Sequence, residues 1–214
     1  PTPPGDMGVD PGYGSGGRLN LGGILANAQA IRIRTAAGGR LMVLAFGRDA
    51  QGIDRYGLAR YTSRGQLDVS YGTAGVEGLV EPSLPELELA DFIVQADGSA
   101  ILIGSATLQP PGYPAEQSVM VALRRYANGS RDVSFGDSGA RVIAAGDGAR
   151  GNHLVETPDG VVLAGYAWDD EWMPQPGILA RVTSDGTLDP SFGVGGIVIQ
   201  EAVNVWGDYP VRFE

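Results

Sequence analysis

The sequence contains no cysteine, which excludes disulfide bonds, thiolate metal sites and a cysteine nucleophile. It has one histidine and no uninterrupted run of about 18 apolar residues, so no membrane-spanning helix is predicted. Basic residues are outnumbered by acidic ones, 15 to 25, and the net charge of −10 would repel the phosphate backbone of a nucleic acid. A nucleic-acid partner is therefore not expected.

Glycine and proline are abundant instead. The 34 glycines and 14 prolines argue against a helical domain, and a hydrophobic fraction of 43% excludes wholesale disorder. An acidic composition that is rich in glycine and poor in lysine favours a secreted, periplasmic or cell-surface location. The opening PTPPG, with no initiator methionine or apolar leader, indicates a processed or trimmed terminus.

One pattern of an arginine, an aspartate, an aromatic residue and three glycines recurs at intervals of roughly 60 residues. The full copies are Arg60, Gly65, Asp68, Tyr71, Gly72 and Gly75; Arg124, Gly129, Asp132, Phe135, Gly136 and Gly139; and Arg181, Gly186, Asp189, Phe192, Gly193 and Gly196. A half copy near the start contains Asp10, Tyr13, Gly14 and Gly17. Six positions in one common register identify a true internal repeat.

The intervals between these copies contain strand-length apolar runs separated by Asp-Gly, Asn-Gly and Gly-Gly turns. The runs are residues 18–25, 30–35, 41–46 and 56–62; residues 76–80, 91–95, 100–106 and 119–126; and residues 140–145, 154–157, 161–167 and 178–183. No segment has the periodicity of an amphipathic helix. Four antiparallel strands in about 60 residues predict one blade of a β-propeller, and a β-solenoid is the alternative.

Two segments of the repeat carry a family resemblance. GQLDVSYG at residues 65–72 and DGTLDPSFG at residues 185–193 resemble the delta-60 repeat of bacterial secreted and surface proteins. The resemblance extends over essentially the whole chain and implies a propeller-like β fold, without a general catalytic assignment. The departures are Arg131 where leucine is usual, Gly12 where serine is usual, and the missing front half of the first copy.

The repeat predicts a single all-β array over residues 1–214, with units at about 8–66, 67–130 and 131–187 and a partial unit at 188–214. Three full blades and a partial one are fewer than the about four to eight blades of ordinary propellers. The chain would then be a fragment of a longer array, pair its tail along its own edge, or close with further copies. We favour assembly of copies, with a homodimer of about six to eight blades as the simplest case.

Residues that recur in every copy are expected to be structural, because an active site is needed only once. This set is Arg60, Asp68, Tyr71, Arg124, Asp132, Phe135, Arg181, Asp189 and Phe192. We expect the aspartate to cap a turn and pair with the arginine, the glycines after the aromatic residue to adopt positive φ, and the aromatic ring to pack between blades. A calcium or ligand role is the alternative, but the spacing is not that of a compact calcium loop. No metal or cofactor is predicted.

Function is expected where the copies differ, in the loops at residues 47–55, 108–117 and 168–176. The candidate binding residues are Trp168, Asp169, Asp170, Trp172, Tyr113, Arg48, Asp49 and Asp54. Two tryptophans flanking three acids suit a sugar ring or a cationic partner, whereas the alternative is that Trp168 packs at a blade edge.

His153 aligns with Asp91 of the preceding unit, which indicates a polar slot at the start of a strand. No Gly-x-Ser-x-Gly motif accompanies this histidine, so a nucleophilic triad is not predicted. The sequence therefore favours a non-enzymatic, secreted or surface-associated binding or scaffold module for a glycan or protein. The alternatives are a glycan hydrolase or lyase with carboxylates from several blades, and a purely structural segment of a surface protein.

Overall fold

The computed structural model describes residues 10–79, 81, 83–168 and 176–200, whose regular elements are strands and two short 3-10 turns. No helix in this part of the chain has the length and apolar character that crossing a bilayer requires. Contacts divide the chain into two compact units, Pro1–Val80 and Glu81–Glu214. The all-β prediction is confirmed.

The strands of the described residues form three antiparallel sheets of four strands each, arranged in chain order within every sheet. The first sheet, in the first unit, contains β1 (Ala26–Ala36), β2 (Arg40–Arg48), β3 (Asp54–Tyr61) and β4 (Val76–Leu79). The second contains β5 (Glu88–Val94), β6 (Ala100–Leu108), β7 (Gln117–Arg125) and β8 (Ala140–Ile143). The third contains β9 (Gly148–Thr157), β10 (Gly160–Trp168), β11 (Gly177–Val182) and β12 (Ile197–Gln200). A four-stranded antiparallel sheet of this order is the blade of a propeller-type fold.

The repeat motif connects the third strand of each sheet to the fourth. In the first copy the N–H of Arg60 donates to the carbonyl of Gly75 at 3.1 Å, and in the third copy Arg181 donates to Gly196 at 2.9 Å. These bonds bring the end of the motif back to its beginning. The chain therefore leaves the motif antiparallel to the third strand and adds a fourth strand to the same sheet.

This connection shifts the sheets relative to the sequence units. The runs at residues 76–80 and 140–145 were expected to open the following unit, and the run from Ile197 a partial fourth blade. The structure instead adds β4, β8 and β12 to the preceding sheets, so the third sheet also has four strands. Long-range pairing between strands decides this assignment, and the local sequence pattern does not contain it.

Residues 18–25 were predicted to form a strand, and that prediction is wrong. They contain the 3-10 turn Leu21–Gly23, in which the Asn20 side chain accepts a hydrogen bond from the N–H of Gly22 at 2.9 Å. This segment has the position of a fourth strand after the half copy of the motif. Within the described residues no third strand lies beside it, so a turn is formed instead.

The second and third sheets, both in the second unit, are joined through the second and third motif copies. The N–H of Gly136 donates to the carbonyl of Asp185 at 2.7 Å, and Arg141 Nε donates to the carbonyl of Gly186 at 2.6 Å. A Cβ on Gly186 would lie 2.9 Å from the ring of Phe135. Phe135 is fully buried in the apolar core between the two sheets, as predicted for the motif's aromatic residue.

Aliphatic side chains from both sheets fill this core. They include Ile101, Ile103, Met120 and Ala122 of the second sheet and Leu154, Val161, Leu163, Ile178, Ala180 and Val182 of the third. Burial of each large aliphatic side chain contributes about 1.5–3 kcal/mol to folding. The core thus fixes the two sheets face to face and positions the polar groups at their first strands.

The first sheet packs against the segment that precedes it. Its core contains Ile24, Val43, Ala45, Ala59 and Tyr61, with Leu19, Leu21 and Leu25 packed against them. The N–H of Gly14 donates to the carbonyl of Arg64 at 2.8 Å, and a Cβ on Gly65 would lie 2.9 Å from the ring of Tyr13. The half copy therefore contacts the hairpin at Arg64 and Gly65 in the same way that the second motif copy contacts the hairpin at Asp185 and Gly186.

Candidate functional site

Each full motif copy contains an arginine hydrogen-bonded to the aspartate eight residues later. The pairs are Arg60–Asp68, Arg124–Asp132 and Arg181–Asp189, with Nε–Oδ2 distances of 2.9, 2.5 and 2.7 Å. The guanidinium also lies over the motif's aromatic ring, at 4.9, 5.2 and 5.0 Å from the ring centroid. One arginine therefore contacts both the carboxylate and the ring of its copy.

The second carboxylate oxygen of each motif aspartate caps the turn that follows. Ser70, Ser134 and Ser191 each donate both a backbone N–H and a hydroxyl to this oxygen, with hydroxyl distances of 2.6, 2.6 and 2.8 Å. The two glycines after the aromatic residue have positive φ in all three copies, as predicted. The motif's charged groups are thus occupied by partners within their own copy.

These hydrogen bonds lower the pKa of the motif aspartates. For Asp68 the Ser70 hydroxyl is the main cause, and burial partly opposes it. For Asp132 burial raises the pKa, but bonds from Ser134, Tyr126 and Arg124 outweigh it and lower the pKa to about 2. The carboxylates are ionised at neutral pH and act as acceptors, which suits a turn. The structural role of the motif residues stays a prediction.

The first predicted binding loop lies at the β2–β3 hairpin, in the first unit. The N–H groups of Gln51 and Ile53 both donate to Asp49 Oδ1 at 2.9 Å, so this carboxylate holds the turn. Arg48 Nε donates to Asp54 Oδ1 at 3.1 Å across the same hairpin, and both side chains are exposed. Of these three candidates, Arg48 and Asp54 remain accessible to a ligand.

In the second unit, Tyr113 and Trp168 lie at equivalent β6–β7 and β10–β11 connections. Tyr113 is half-buried, and its carbonyl accepts a bond from the Gln109 amide at 3.2 Å. The indole of Trp168 lies 5.9 Å from the Tyr166 ring and occupies the space that a Cβ on Gly148 would need. Trp168 therefore packs at the sheet edge, which is the alternative to a binding role.

The other candidates of the third loop are Asp169, Asp170 and Trp172, and they lie outside the described residues. Their assignment as binding residues stays a prediction.

A row of polar pairs joins the first strands of the second and third sheets. The pairs are Glu88–Arg150 (Oε2 to Nη1, 2.9 Å), Asp91–His153 (Oδ2 to Nδ1, 3.4 Å) and Gln95–Glu156 (Nε2 to Oε1, 3.0 Å). Asp91 is buried, whereas the His153 side chain is 67% exposed. His153 and Asp91 were expected at the start of a strand, but they lie in the middle of β9 and β5, where their contact is one step of a longer polar row.

A cleft of about 330 Å³ lies at the end of this row, between the second and third sheets. It is lined by Gln95 after β5, by residues 156–161 at the β9–β10 hairpin, and by Thr183 and Ser184 after β11. Asp159 Oδ2 lies 3.7 Å from Arg181 Nη1, and the Asp159 side chain is 73% exposed. Two neighbouring sheets therefore contribute to one polar cavity.

The lining groups favour a ligand with several hydroxyl or amine groups. They include the carboxylates of Glu156 and Asp159, the amide of Gln95 and the hydroxyls of Thr157, Thr183 and Ser184. Carboxylate and amide oxygens accept hydrogen bonds, and hydroxyls both donate and accept. Two carboxylates disfavour an anionic ligand. In the described part of the chain, no group of three or more histidine, aspartate and glutamate side chains could hold a metal ion.

The cleft lies at the opposite end of the sheets from the predicted loops and was missed in the sequence. The segment Pro158-Asp159-Gly160 was assigned only as a tight turn, and Gln95 only as the end of a strand. Their approach depends on packing between different sheets, for which no local pattern exists. The available signal in the sequence was the group of charged and polar residues that flank this turn.

Comparison with known proteins supports the fold. Residues 157–192 match the family model described as a β-propeller domain of unknown function (DUF5122). The matched segment runs from the end of β9 through β10 and β11 into the third motif copy. Searches of curated proteins and of solved structures find no match. The three four-stranded sheets and this match together establish a propeller-type, all-β fold.

Proposed function

We propose that this chain is a non-enzymatic binding and scaffold module of the delta-60 repeat type, which binds a glycan in the cleft between its second and third sheets. The observation that carries this proposal is the cleft of about 330 Å³ between the two sheets, which carboxylate, amide and hydroxyl groups line. The motif residues are occupied by each other, so the groups available to a ligand are those that differ between copies.

The chemistry of the cleft supports a saccharide. Glu156 and Asp159 present acceptors to sugar hydroxyls, and Thr183 and Ser184 supply hydroxyls of their own. Pro158, which lines the cleft and is exposed, adds an apolar surface for the C–H face of a sugar ring. Because both charged lining groups are acidic, a neutral or amine-bearing sugar is favoured over a uronate or a phosphosugar.

Glycan-array binding followed by calorimetry tests this proposal. Glu156→Gln and Thr183→Ala should each weaken binding about 5- to 50-fold, which is the loss of one or two hydrogen bonds. Glu88→Gln is the matched control, because it removes a carboxylate from the other end of the same polar row. If the wild-type protein retains no glycan, or if the control weakens binding equally, the proposal fails.

The loops at the other end of the sheets are proposed as a second contact surface. Tyr113 and Trp168 lie at equivalent connections there, and the acids and Trp172 of the third loop suit the same ligand class. Trp172→Ala compared with Thr183→Ala distinguishes the two surfaces. Retained binding in Thr183→Ala with loss in Trp172→Ala would move the site from the cleft to the loops.

A glycan hydrolase is the second candidate, because two carboxylates, Glu156 and Asp159, line one cleft. Glycoside hydrolysis uses such a pair, one carboxyl acting as acid and the other as base or nucleophile. A reducing-sugar assay on every glycan that binds separates the two candidates. The binding proposal expects no release of reducing ends; release that is abolished by both Glu156→Gln and Asp159→Asn would establish the enzyme.

We also propose that the chain is secreted or displayed on a bacterial surface and assembles with further copies of itself. The acidic composition, rich in glycine and poor in lysine, supports the location. The three sheets of the described residues are fewer than the about four to eight of ordinary propellers, which supports assembly. Light scattering on the separated protein tests assembly, for which a monomer of 22.2 kDa at all concentrations is the contrary result.

A further inference from the structure

The third sheet has one face turned away from the second sheet, here called the outer face. It contains Val155, Val162, Ala164, Leu179 and Val198, which the strand pairing places on the same side. Val155 is 56% exposed and Leu179 is 40% exposed. Exposed aliphatic side chains grouped on one sheet face are typical of an interaction surface.

The second sheet shows what such a face contacts. Its residues at the matching positions include Ile101, Ile103 and Ala122, and all three are 0% exposed because the third sheet covers them. The covering sheet is held by the bond from Gly136 to Asp185 and by the glycine hairpin against Phe135. The natural occupant of an outer face in this chain is therefore another sheet that carries the same hairpin.

The third motif copy has the internal contacts that the second copy has where it binds the Gly186 hairpin. Arg181 lies 5.0 Å over the Phe192 ring and bonds Asp189, as in the other copies. Phe192 nevertheless remains partly exposed, whereas Phe135 is 0% exposed beneath the hairpin that covers it. In the described residues nothing contacts the Phe192 loop in the way that Gly186 contacts Phe135.

The first sheet offers a matching hairpin, at Arg64 and Gly65. It already accepts an aromatic–glycine loop, because Gly14 donates to the carbonyl of Arg64 and Tyr13 lies against Gly65. The loop that it accepts belongs to the half copy, which lacks the motif arginine. A full copy has the same backbone N–H donor, and its arginine packs over its aromatic ring.

We propose that the outer face of the third sheet binds the first sheet of a second copy, with the Phe192 loop replacing the partner's half copy on the Arg64–Gly65 hairpin. The N–H of Gly193 takes the position of Gly14, and the outer-face aliphatic side chains replace Leu19, Leu21 and Leu25. Each displaced contact is exchanged for an equivalent one, and the exposed outer face becomes buried.

This inference rests on the assembly proposed above and adds the pair of surfaces that forms it. The cysteine-free chain allows a direct test by cross-linking. Val194, 86% exposed beside Gly193, and the exposed Arg64 are replaced separately, as Val194→Cys and Arg64→Cys, and the two variants are co-expressed. Asp137→Cys combined with Asp185→Cys in one chain is the matched control, because these positions are equivalent across the joint between the second and third sheets.

We expect a disulfide-linked dimer from the co-expressed pair and none from either variant alone. Leu179→Asp should convert the wild-type assembly into a 22.2 kDa monomer without changing its circular dichroism. A wild-type monomer overturns both the assembly and this inference. A dimer in which Val194→Cys cross-links with itself, or in which the co-expressed pair does not cross-link although the control does, overturns the pairing of surfaces alone.

Discussion

The second and third motif copies share one backbone arrangement but fill it with different chemistry. The third copy has Val182 and Leu188 at two positions where the second has Arg125 and Arg131. The Arg125 side chain is 2% exposed and bonds Glu81, whose side chain is fully buried. Arg131 Nε lies 3.0 Å from the other oxygen of Glu81. The repeat therefore accepts buried charge when a carboxylate from outside the motif pairs with it.

The space beside the third glycine of the motif is filled from the same sequence position in each full copy. A Cβ on Gly75 or Gly196 would meet the leucine of its own copy, and a Cβ on Gly139 would meet the Arg131 guanidinium. The arginine therefore occupies the leucine position rather than turning out to solvent. A buried charge of this kind needs its counter-ion, since removal of one partner leaves the other desolvated and unpaired.

The largest effect is expected from Glu81→Gln, which leaves two arginines without their shared carboxylate. We expect a loss of about 3–5 kcal/mol in the free energy of unfolding, measured by denaturant titration. Asp54→Asn removes one partner of an exposed pair and should cost less than about 1 kcal/mol. Equal losses in the two variants would contradict the role given to burial.

A triple variant tests whether apolar side chains can replace the buried charges. Glu81→Leu, Arg125→Val and Arg131→Leu together give the second copy the apolar filling of the third. The triple variant should recover most of the stability that Glu81→Gln loses, because well-packed apolar groups replace buried ion pairs at little or no cost. A triple variant less stable than Glu81→Gln would show that the space beside Gly139 is shaped for arginine.

Gly186→Ala tests the contact between the second and third motif copies. This residue has φ of 81°, and its Cβ would meet the Phe135 ring at 2.9 Å. Gly52 has φ of 77° and open space around it, so Gly52→Ala carries the backbone strain alone. We expect a loss of about 2–3 kcal/mol for Gly186→Ala and about 1 kcal/mol for Gly52→Ala by thermal unfolding. A difference near zero would mean that the hairpin does not need its close approach.

The sequence predicted what depends on spacing within one copy and missed what depends on packing between sheets. The Arg60–Asp68 pair and the positive φ of the motif glycines recur at fixed intervals, so the repeat alone identified them. Arg131 was visible as a departure from the repeat. Glu81 is the partner of both Arg125 and Arg131. It lies 44 residues before Arg125, so no local pattern predicts the pairing. The cleft and the assignment of β12 depend on contacts of the same long-range kind.

Asp132 and Asp189 are equivalent carboxylates with different environments. Asp132 is fully buried and accepts a bond from the Tyr126 hydroxyl, which the third copy lacks. A carboxyl whose pKa falls from 3.8 to about 2 on folding adds about 2 kcal/mol at neutral pH. Asp132→Asn should therefore lose about 2 kcal/mol at pH 7, and Asp189→Asn less. A larger loss for Asp189→Asn would contradict the comparison.

The free energy of unfolding at acidic pH reports on the protonation of Asp132. Because the pKa of Asp132 is lower in the folded state, its contribution is complete above the unfolded value of 3.8 and declines as the pH falls towards about 2. Wild-type stability should decrease over this range more steeply than that of Asp132→Asn. Parallel curves for the two proteins would show that other carboxylates carry the acid dependence.

The smallest expected effect isolates a hydrogen bond to Asp132 that has no counterpart at Asp189 of the third copy. Tyr126 donates its hydroxyl to Asp132 Oδ1 at 2.7 Å, while Thr183 at the matching position bonds Asp185 instead. Tyr126→Phe should lose about 1 kcal/mol in the wild-type background and close to nothing when Asp132→Ala is already present. The same substitution raises the pKa of Asp132, so acid unfolding should begin at a higher pH. If the loss persists in the Asp132→Ala background, the phenol acts through packing, and the lower pKa of Asp132 must come from the serine and arginine that all three copies share.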